Sequence, residues 1–239
     1  MDITLVGAGR AGRSFARALA DAGHEVRLVH HDDLDLDLGT PALILLTVPD
    51  DEIAALAAAL PVREDVVLAH VAGSRGLGEL APHPRVALLH PLVALPNDTV
   101  GAARLKGALY SVAGDALVTE VVATLDGRAL RLSDEQRAVY HATAVVAANH
   151  LVALMGHVQV LAESVGLALE DFLPLAQQAL GDVVAMGVDR ALTGPASRAD
   201  MATIDAHLAA IPESERAAYV AMANVAFEVA ERRRLTSHA

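Results

Sequence analysis

Short apolar runs recur through the first half of the chain, and segments with a polar or helical pattern separate them. The runs are Ile3–Val6, Val26–Val29, Leu43–Val48, Val66–Ala69 and Val86–Leu89. Strands that alternate with helices predict a doubly wound parallel sheet of the α/β class. Two further strands, Leu109–Ala113 and Arg128–Leu132, are predicted around a helix near residues 115–125.

The second half of the chain has a helical pattern throughout. Ser133 followed by Gln136 is a capping-box signature, and it predicts a helix that runs to about Val165. Further helices are predicted over residues 170–188, 199–210 and from Pro212 to the arginines at 232–234. We therefore predict an α/β domain over residues 1–132 and an all-helical domain over residues 133–239.

Composition narrows the class of protein. The chain is 54% apolar, carries a net charge of −12 and contains no cysteine, which excludes disulfides and thiolate chemistry. Without an arginine- or lysine-rich tract we expect no nucleic-acid partner. The longest apolar stretch, residues 142–155, is shorter than a membrane span and no signal-peptide pattern is visible. A cytoplasmic protein without a membrane partner is expected.

The first predicted strand leads into a glycine-rich turn and then a helix. The turn consists of Gly7, Ala8, Gly9, Arg10, Ala11 and Gly12. In a G-x-G-x-x-G turn of this context, the first glycine permits the tight bend and the second lets a pyrophosphate approach. The third allows helix and strand to pack closely. The turn predicts a dinucleotide site in which Gly7, Gly9, Arg10, Ala11 and Gly12 contact the cofactor.

The residues after the second strand bear on the choice of cofactor. Enzymes that use NAD commonly place a carboxylate there to bind the ribose 2′-hydroxyl. This chain has His30 and His31 at that place, followed by Asp32 and Asp33. The histidines, together with Arg10, suit a 2′-phosphate, whereas the aspartates oppose it. We predict NADP as the cofactor, with NAD as the alternative.

Ligands of open α/β sheets bind at the carboxyl ends of the strands. The residues at or just after those ends are Val48, Pro49, Asp50, His70, Gly73, Ser74 and His90. We predict that Val48, Pro49 and His70 contact the cofactor, and that Gly73, Ser74 and His90 contact a substrate. The alternatives are that Asp50 or Asp51 caps a helix and that the two histidines are hydrogen-bonded core residues.

The long helix of the second half carries two candidate catalytic residues. His141, Val145 and Asn149 lie four residues apart, so they are predicted to share one face of the helix. An imidazole titrates near neutrality and suits proton donation to a carbonyl, and an amide suits binding of the developing alkoxide. The alternative is that these side chains satisfy one another. His150 and His157 lack a third ligand, so no metal site is predicted.

Taken together, several segments resemble a family of Rossmann-like proteins in the 6-phosphogluconate-dehydrogenase-like superfamily, whose helical C-terminal domain has no known function. The segments are residues 7–12, 48–53, 70–73, 90–91, 140–141, Asn149 and, most specifically, 191–200. The resemblance implies a Rossmann sheet followed by a helical domain like the C-terminal domain of that superfamily. It further implies a nicotinamide-dependent oxidoreductase that dimerises through the helical domain.

Relatives in that superfamily include ketopantoate reductase, 3-hydroxyisobutyrate dehydrogenase, prephenate dehydrogenase and pyrroline-5-carboxylate reductase. The ketopantoate and hydroxyacid enzymes carry a catalytic lysine one turn before an asparagine. If Asn149 corresponds to that asparagine, Val145 stands at the lysine position, and the sole lysine is Lys106. His141 is the expected substitute.

The segment at 191–200 is predicted to contact the substrate through Thr193 and Arg198. A guanidinium suits a substrate carboxylate. The alternative is a structural loop held by an ion pair between Arg198 and Asp200.

These observations favour an NAD(P)-dependent reductase or dehydrogenase for a small carbonyl, imine or hydroxy-acid substrate, and ketopantoate-reductase-like activity is the narrowest form. The alternative is a non-catalytic protein that senses NAD(P) or serves as a scaffold.

Overall fold

The computed structural model describes residues 1–30 and 38–236, and its chain contacts divide into two compact units. The first unit is Met1–Ala148 and the second is Asn149–Ala239.

The first unit contains a seven-stranded sheet in the order β2-β1-β3-β4-β5-β6-β7. The strands are β1 (Asp2–Val6), β2 (Glu25–Val29), β3 (Leu43–Leu46), β4 (Val67–His70), β5 (Val86–Pro91), β6 (Leu109–Gly114) and β7 (Arg128–Arg131). Strands β1 to β5 are parallel, with Leu5 opposite Leu28 and Leu45. The chain leaves β1 between its neighbours β2 and β3, which is the switch point of such a sheet.

Both faces of the central strands are buried, as expected for a parallel sheet covered on two sides. In β3, Leu43 and Leu45 join the core on one face, whereas Ile44 and Leu46 join the core on the other. This alternation follows from the two-residue period of a strand. The continuous apolar run is therefore the sequence signal of a strand with no solvent-facing side.

Within the described residues, four α-helices and one 3-10 helix connect the strands, and a fifth α-helix follows the last strand. They are α1 (Arg10–Asp21), α2 (Ile53–Ala59), the 3-10 helix Leu77–Leu80, α3 (Asp98–Leu105), α4 (Leu117–Thr124) and α5 (Asp134–Val145). The capping box predicted at the start of α5 is confirmed. The Gln136 amide donates to Ser133 Oγ at 3.4 Å, and the Ser133 amide donates to Gln136 Oε1 at 3.0 Å.

The second unit is helical. Its elements are the π-helical segment Val146–His150, which begins in the first unit, α6 (Leu151–Ser164), α7 (Leu169–Met186), α8 (Val188–Ala191), α9 (Gly194–Ser197), α10 (Met201–Ala210), the 3-10 helix Glu213–Glu215 and α11 (Arg216–Thr236). The fold class predicted from the sequence, a Rossmann-type sheet followed by helices, is confirmed.

The structure differs from the sequence-based expectation in three respects. The first is strand β6, which runs antiparallel to β5, so the sheet is mostly rather than wholly parallel. Leu92, directly after β5, donates its amide to the carbonyl oxygen of Leu109 at 2.8 Å. Strand β6 therefore begins beside the last residues of β5, at the same end of the sheet.

The second difference is the boundary between units, which lies after Ala148 rather than before Ser133. Helix α5 groups with the sheet because the rings of Tyr140 and His141 each lie 6.0 Å from the ring of His90. The third difference is a π-helical segment, Val146–His150, which follows α5 and contains Asn149. The prediction that His141 and Asn149 share a face assumed an uninterrupted α-helix.

Among residues 1–30 and 38–236, one helical stretch, Glu135–Ser164, meets the length and composition criteria of a membrane span. A single helix of this kind is weak evidence, since core helices of soluble proteins meet the same criteria.

Candidate active site

The glycine turn after β1 has the geometry that its three glycines predict. Gly7 has a φ of +115°, and a Cβ there would lie 2.8 Å from the carbonyl carbon and oxygen of Thr47. A Cβ on Gly12 would overlap the carbonyl oxygen of Gly7, so only glycine lets α1 pack this closely on the turn. A Cβ on Gly9 would meet no heavy atom within 4 Å, which leaves the backbone open at that position.

The start of α1 suits an anion. Gly9 is the N-cap residue and offers no side-chain hydrogen bond, and the first turn contains no acidic residue. The Arg13 amide makes the first hydrogen bond of the helix, to the Gly9 carbonyl oxygen at 3.0 Å. The amides before Arg13 in this turn therefore lie ahead of the hydrogen bonds of the helix. Exposed amides and the positive end of the helix dipole together favour a phosphate group. Arg10 is exposed in this turn.

The end of β2 lies beside the glycine turn, because the Gly7 amide donates to the Val29 carbonyl oxygen at 3.0 Å. His30 follows directly and is exposed. His31, the second histidine predicted to bind the cofactor, lies outside the described residues. The assignment of both to the 2′-phosphate stays a prediction.

Next along the sheet, the ends of β3 and β4 are joined by a hydrogen bond between their following loops. Val48 is buried, Pro49 is exposed, and Asp50 Oδ2 accepts a hydrogen bond from Ser74 Oγ at 2.9 Å. The polar residues that were predicted to meet at this edge therefore include at least one direct pair. Asp50, which lies shortly before α2, is therefore held by a side chain of the neighbouring loop.

His70, at the end of β4, is fully buried and shapes its own loop. Its Nδ1 accepts from the Ala72 amide at 3.2 Å, and its Nε2 lies 3.2 Å from the Gly76 carbonyl oxygen. A carbonyl only accepts, so Nε2 carries the proton and the ring is neutral. Burial lowers the pKa of His70 and reinforces that state. These bonds support the alternative of a hydrogen-bonded core histidine, and its predicted cofactor contact stays a prediction.

His90, Tyr140 and His141 form the aromatic cluster at the end of β5. The rings of Tyr140 and His141 are each edge-on to His90, at 88° and 70°. His90 Nδ1, His141 Nδ1 and the Tyr140 hydroxyl are all buried without a hydrogen-bond partner among the described residues. Buried polar atoms are normally paired, so three such atoms in one cluster indicate a place where a ligand completes the hydrogen bonding.

Burial is the main reason that the pKa of His90 falls to about 4, and the charge of His141 adds to the effect. His90 is therefore neutral at physiological pH. Burial also raises the pKa of the Tyr140 phenol. The cluster thus contains one imidazole that stays neutral and a phenol that keeps its proton.

Gly73 explains how both imidazoles fit. A Cβ on Gly73 would lie 2.6 Å from His141 Nδ1 and 2.7 Å from His90 Nε2. Its φ is not in the left-handed region, so the glycine is required here for space rather than for backbone conformation. The predicted substrate residues Gly73 and His90 are therefore brought together with His141.

Arg137 is the residue that the sequence reasoning missed. It is 3% exposed, and its positive charge lowers the pKa of both His70 and His90. Its spacing in the sequence could have indicated this position, because Arg137, Tyr140 and His141 occupy positions i, i+3 and i+4 of one helix and so share a face.

In the second unit, Asn149 lies in the π-helical segment, and Thr193 and Arg198 flank the short helix α9. Asp200 caps α10 by accepting from the Thr203 amide at 3.1 Å and from its hydroxyl at 2.7 Å. These bonds, and then the nearby charge of Arg198, lower the pKa of Asp200. That arrangement fits the structural alternative for this loop, and the substrate roles of Thr193 and Arg198 stay predictions.

The remaining candidates have ordinary partners. His157 Nδ1 lies 2.6 Å from Glu215 Oε2, and His207 Nδ1 lies 2.6 Å from the Tyr219 hydroxyl. Lys106 pairs with Asp126 on the surface at 3.5 Å. Within the described part of the chain, no group of three or more histidine, aspartate or glutamate side chains is placed to hold a metal ion.

One family model matches part of the chain. Residues 111–226 match the model described as a domain of unknown function, DUF2520. No curated protein sequence matches the chain.

Solved structures share the fold of this chain over nearly its whole length. BF3122 from Bacteroides fragilis, described as a candidate NADP oxidoreductase, has 21% identity and a TM-score of 0.79, with 95% of this chain and 98% of that chain covered. Protein TM1727 from Thermotoga maritima has 22% identity and a TM-score of 0.74, with 97% and 99% covered.

Pyrroline carboxylate reductase of Plasmodium falciparum, solved with NADP bound, has 10% identity and a TM-score of 0.59, with 98% of each chain covered. At these identities the likeness establishes the fold. It confirms the Rossmann-type fold that the resemblance implied.

Proposed function

We propose that this protein is an NAD(P)-dependent reductase or dehydrogenase that acts on a small carbonyl, imine or hydroxy-acid substrate. The observation that carries the proposal is the placement of two features at the carboxyl ends of parallel strands in one sheet. A glycine turn without a side-chain cap follows β1. Imidazole and phenol groups that have no hydrogen-bond partner among the described residues form a cluster at the end of β5. The first suits a dinucleotide and the second suits a polar reacting group.

The residues present fit a nicotinamide dinucleotide. The turn from Gly7 to Gly12 would hold the diphosphate through backbone amides, and His30 and Arg10 would hold a 2′-phosphate, which favours NADP over NAD. Val48 and Pro49 would border the nicotinamide end. When bound, the cofactor supplies or accepts the hydride, and the protein's own groups manage the proton.

His141 is the proposed proton donor. Reduction of a carbonyl adds a hydride to carbon and a proton to oxygen, which together give an alcohol and the oxidised cofactor. The His141 Nδ1 atom is buried and has no partner within the described residues, so it is available to a substrate oxygen or nitrogen. The neutral His90 and the Tyr140 hydroxyl would orient that atom. Asn149 stays a predicted catalytic residue, and Ser74 and Thr193 stay predicted substrate contacts.

Hydride exchange tests the proposal. The full chain is incubated with NADPH deuterated at the transferable position and a panel of 2-oxo acids, ketones and cyclic imines, and deuterium in the product is measured by mass spectrometry. We expect transfer to at least one member. Ketopantoate is included because ketopantoate-reductase-like activity is the narrowest form of the proposal. Binding of NADPH without any transfer would contradict an enzymatic role.

A non-catalytic NAD(P) sensor or scaffold is the second candidate. The observation that favours it is the absence of a lysine from the cluster, since the sole lysine is paired with Asp126 on the surface. Tight cofactor binding, together with no exchange across the panel, would support this candidate.

Assembly as a homodimer through the helical unit is part of the proposal. Leu173, Leu180 and Val184 follow a stripe along α7 at spacings of seven and four residues. They are 37%, 49% and 88% exposed. An apolar stripe of this kind is typical of a surface that a partner covers. The net charge of −12 and the absence of cysteine fit the further proposal of a cytoplasmic location.

A further inference from the structure

Two imidazole nitrogens converge on the loop that follows β4. A Cβ placed on Gly73 would lie 2.6 Å from His141 Nδ1 and 2.7 Å from His90 Nε2. Both nitrogens therefore border one small volume in front of the Gly73 backbone, and they reach it from different elements, α5 and β5. Any side chain at position 73 would enter this volume, so only a glycine leaves it open to a ligand atom.

The two imidazoles do not satisfy each other. His141 Nδ1 is buried without a hydrogen-bond partner among the described residues, and the same holds for His90 Nδ1. The ring planes are inclined at 70°, with 6.0 Å between the ring centres. Because buried polar atoms are normally paired, this arrangement indicates that a ligand atom lies between the two rings when the site is occupied.

The surroundings of His90 decide which of its nitrogens donates. Burial lowers the pKa of His90 to about 4, so the ring is neutral and carries one proton. A proton on Nδ1 would be a buried donor without an acceptor among the described residues, which is costly. A proton on Nε2 faces the volume beside Gly73 instead. We therefore infer that His90 donates through Nε2.

Two donors aimed at one place discriminate between kinds of reacting atom. A carbonyl oxygen has two lone pairs and can accept from both imidazoles. An imine nitrogen has one lone pair, and the iminium ion formed by its protonation has none. An imine would therefore leave one of the two donors unpaired in a buried site, which is unfavourable.

We propose that His90 Nε2 and His141 Nδ1 together bind the reacting oxygen of the substrate, so that the substrate is a carbonyl compound, or the corresponding alcohol in the reverse direction, and not an imine. This inference rests on the function proposed above and narrows its substrate class. His141 gives its proton to the oxygen, which completes the alcohol. His90 keeps its proton and stabilises the negative charge that develops on the oxygen, as a neutral imidazole can do.

The preference between carbonyl and imine substrates tests the assignment. The full chain is supplied with deuterated NADPH and, in separate reactions, with each member of the panel of 2-oxo acids, ketones and cyclic imines. Cyclopentanone and 2-methyl-1-pyrroline serve as a carbonyl and an imine of similar size. We expect transfer to the carbonyl members to be at least about tenfold faster, since the imines leave one donor unpaired.

The outcomes separate this inference from the proposed function. Equal or faster transfer to the cyclic imines would overturn the inference and leave the proposed function standing. No transfer to any member of the panel would contradict the proposed function, and the inference would fall with it.

Variants of His90 test its donor directly. His90→Phe keeps an aromatic ring but lacks the donor, and kcat for the fastest carbonyl substrate should fall about a hundredfold, the scale of losing one oxyanion donor. His90→Leu also lacks the donor and replaces the Phe variant if that variant does not fold. His90→Gln restores an N–H donor and should recover about tenfold of the loss. His24→Phe, in the turn before β2, is the matched control and should retain kcat.

An infrared measurement distinguishes hydrogen bonding to the substrate from a purely structural role of His90. The same carbonyl substrate, labelled with carbon-13 at the carbonyl, is bound to the full chain with NADP⁺, which cannot deliver a hydride. Two donors weaken the C=O bond, so its stretching frequency should be lower in the unmodified protein than in His90→Phe or His90→Leu. An unchanged frequency or an unchanged kcat in the variants that lack the donor would overturn the inference.

Discussion

The two imidazoles of the cluster have different proposed tasks. His90 is held neutral by burial, so proton donation falls to His141. We expect His141→Ala to lower kcat by about tenfold or more, because the loss of a positioned general acid has at least this effect. Cofactor affinity should not change, since His141 is not among the residues predicted to contact the cofactor. Stopped-flow turnover and fluorescence titration with NADPH measure the two quantities.

His207→Ala is the control for that measurement, because His207 contacts Tyr219 within the second unit. Turnover in His207→Ala should match the unmodified protein. Unchanged turnover in His141→Ala would remove His141 from the mechanism.

Gly73 allows a second prediction about the same pair. The methyl group of Gly73→Ala would lie 2.6 Å from His141 Nδ1 and 2.7 Å from His90 Nε2, closer than van der Waals contact permits. Overpacking of this kind typically costs about 1–3 kcal/mol, and here it would displace the imidazoles. We expect kcat to fall at least as far as in His141→Ala, with altered imidazole NMR signals.

Gly78→Ala is the matched control, because a Cβ on Gly78 meets no heavy atom within 4 Å. It should leave both turnover and the imidazole signals unchanged. A Gly73→Ala protein with full activity would show that the spacing between the two rings is not needed for the reaction.

Some residues of the cluster were predictable from the sequence and others were not. His70 and His90 follow apolar runs, so the strand-end rule placed them at the ligand-binding edge of the sheet. Whether such a histidine is structural or free depends on loop contacts, as the two bonds of His70 show. Arg137 was not predictable as a site residue, because an arginine in the first turns of a helix is usually exposed, and only packing reveals that it is buried.

At the scale of elements, the start of α5 determines how the cluster is presented. The Ser133–Gln136 capping box closes this helix end, and Arg137 and Tyr140 follow within about one turn. Replacing an N-cap serine by alanine typically costs about 1 kcal/mol. We expect Ser133→Ala to lower the free energy of unfolding by that amount, and Ser133→Asp, which retains a capping oxygen, to lower it much less. Equal losses in urea unfolding of the two variants would contradict the role of the cap.

The elements themselves were largely predictable, because apolar runs and cap residues are local signals. The strands at Glu25–Val29 and Arg128–Arg131 and the helix Met201–Ala210 lie within two residues of their predicted bounds. The antiparallel direction of β6 was not predictable, since it depends on where the preceding helix α3 packs. The π-helical segment was also missed, because the residues at 146–150 carry no local mark that separates them from a regular α-helix.

At the scale of the whole molecule, the DUF2520 match and the structural units divide the chain differently. The match begins at residue 111, in β6, and ends at residue 226, in α11. It therefore includes most of β6, all of β7 and α5, and most of the second unit. Arg137, Tyr140 and His141 lie inside the matched segment, whereas the glycine turn and His90 lie before it. The proposed cluster thus combines residues from within the matched segment with residues of the sheet that precede it.

The apolar stripe on α7 leads to the prediction at this scale. If Leu173, Leu180 and Val184 form part of a homodimer surface, a charge placed on the stripe must be desolvated when the dimer forms, which is unfavourable. We expect Val184→Glu to shift the protein from dimer to monomer in light scattering coupled to size-exclusion chromatography, with the helical circular dichroism retained. Gln178→Glu, at an exposed position on the opposite side of α7, adds the same charge and should remain dimeric. A monomeric unmodified protein, or a dimeric Val184→Glu protein, would show that this stripe does not mediate dimerisation.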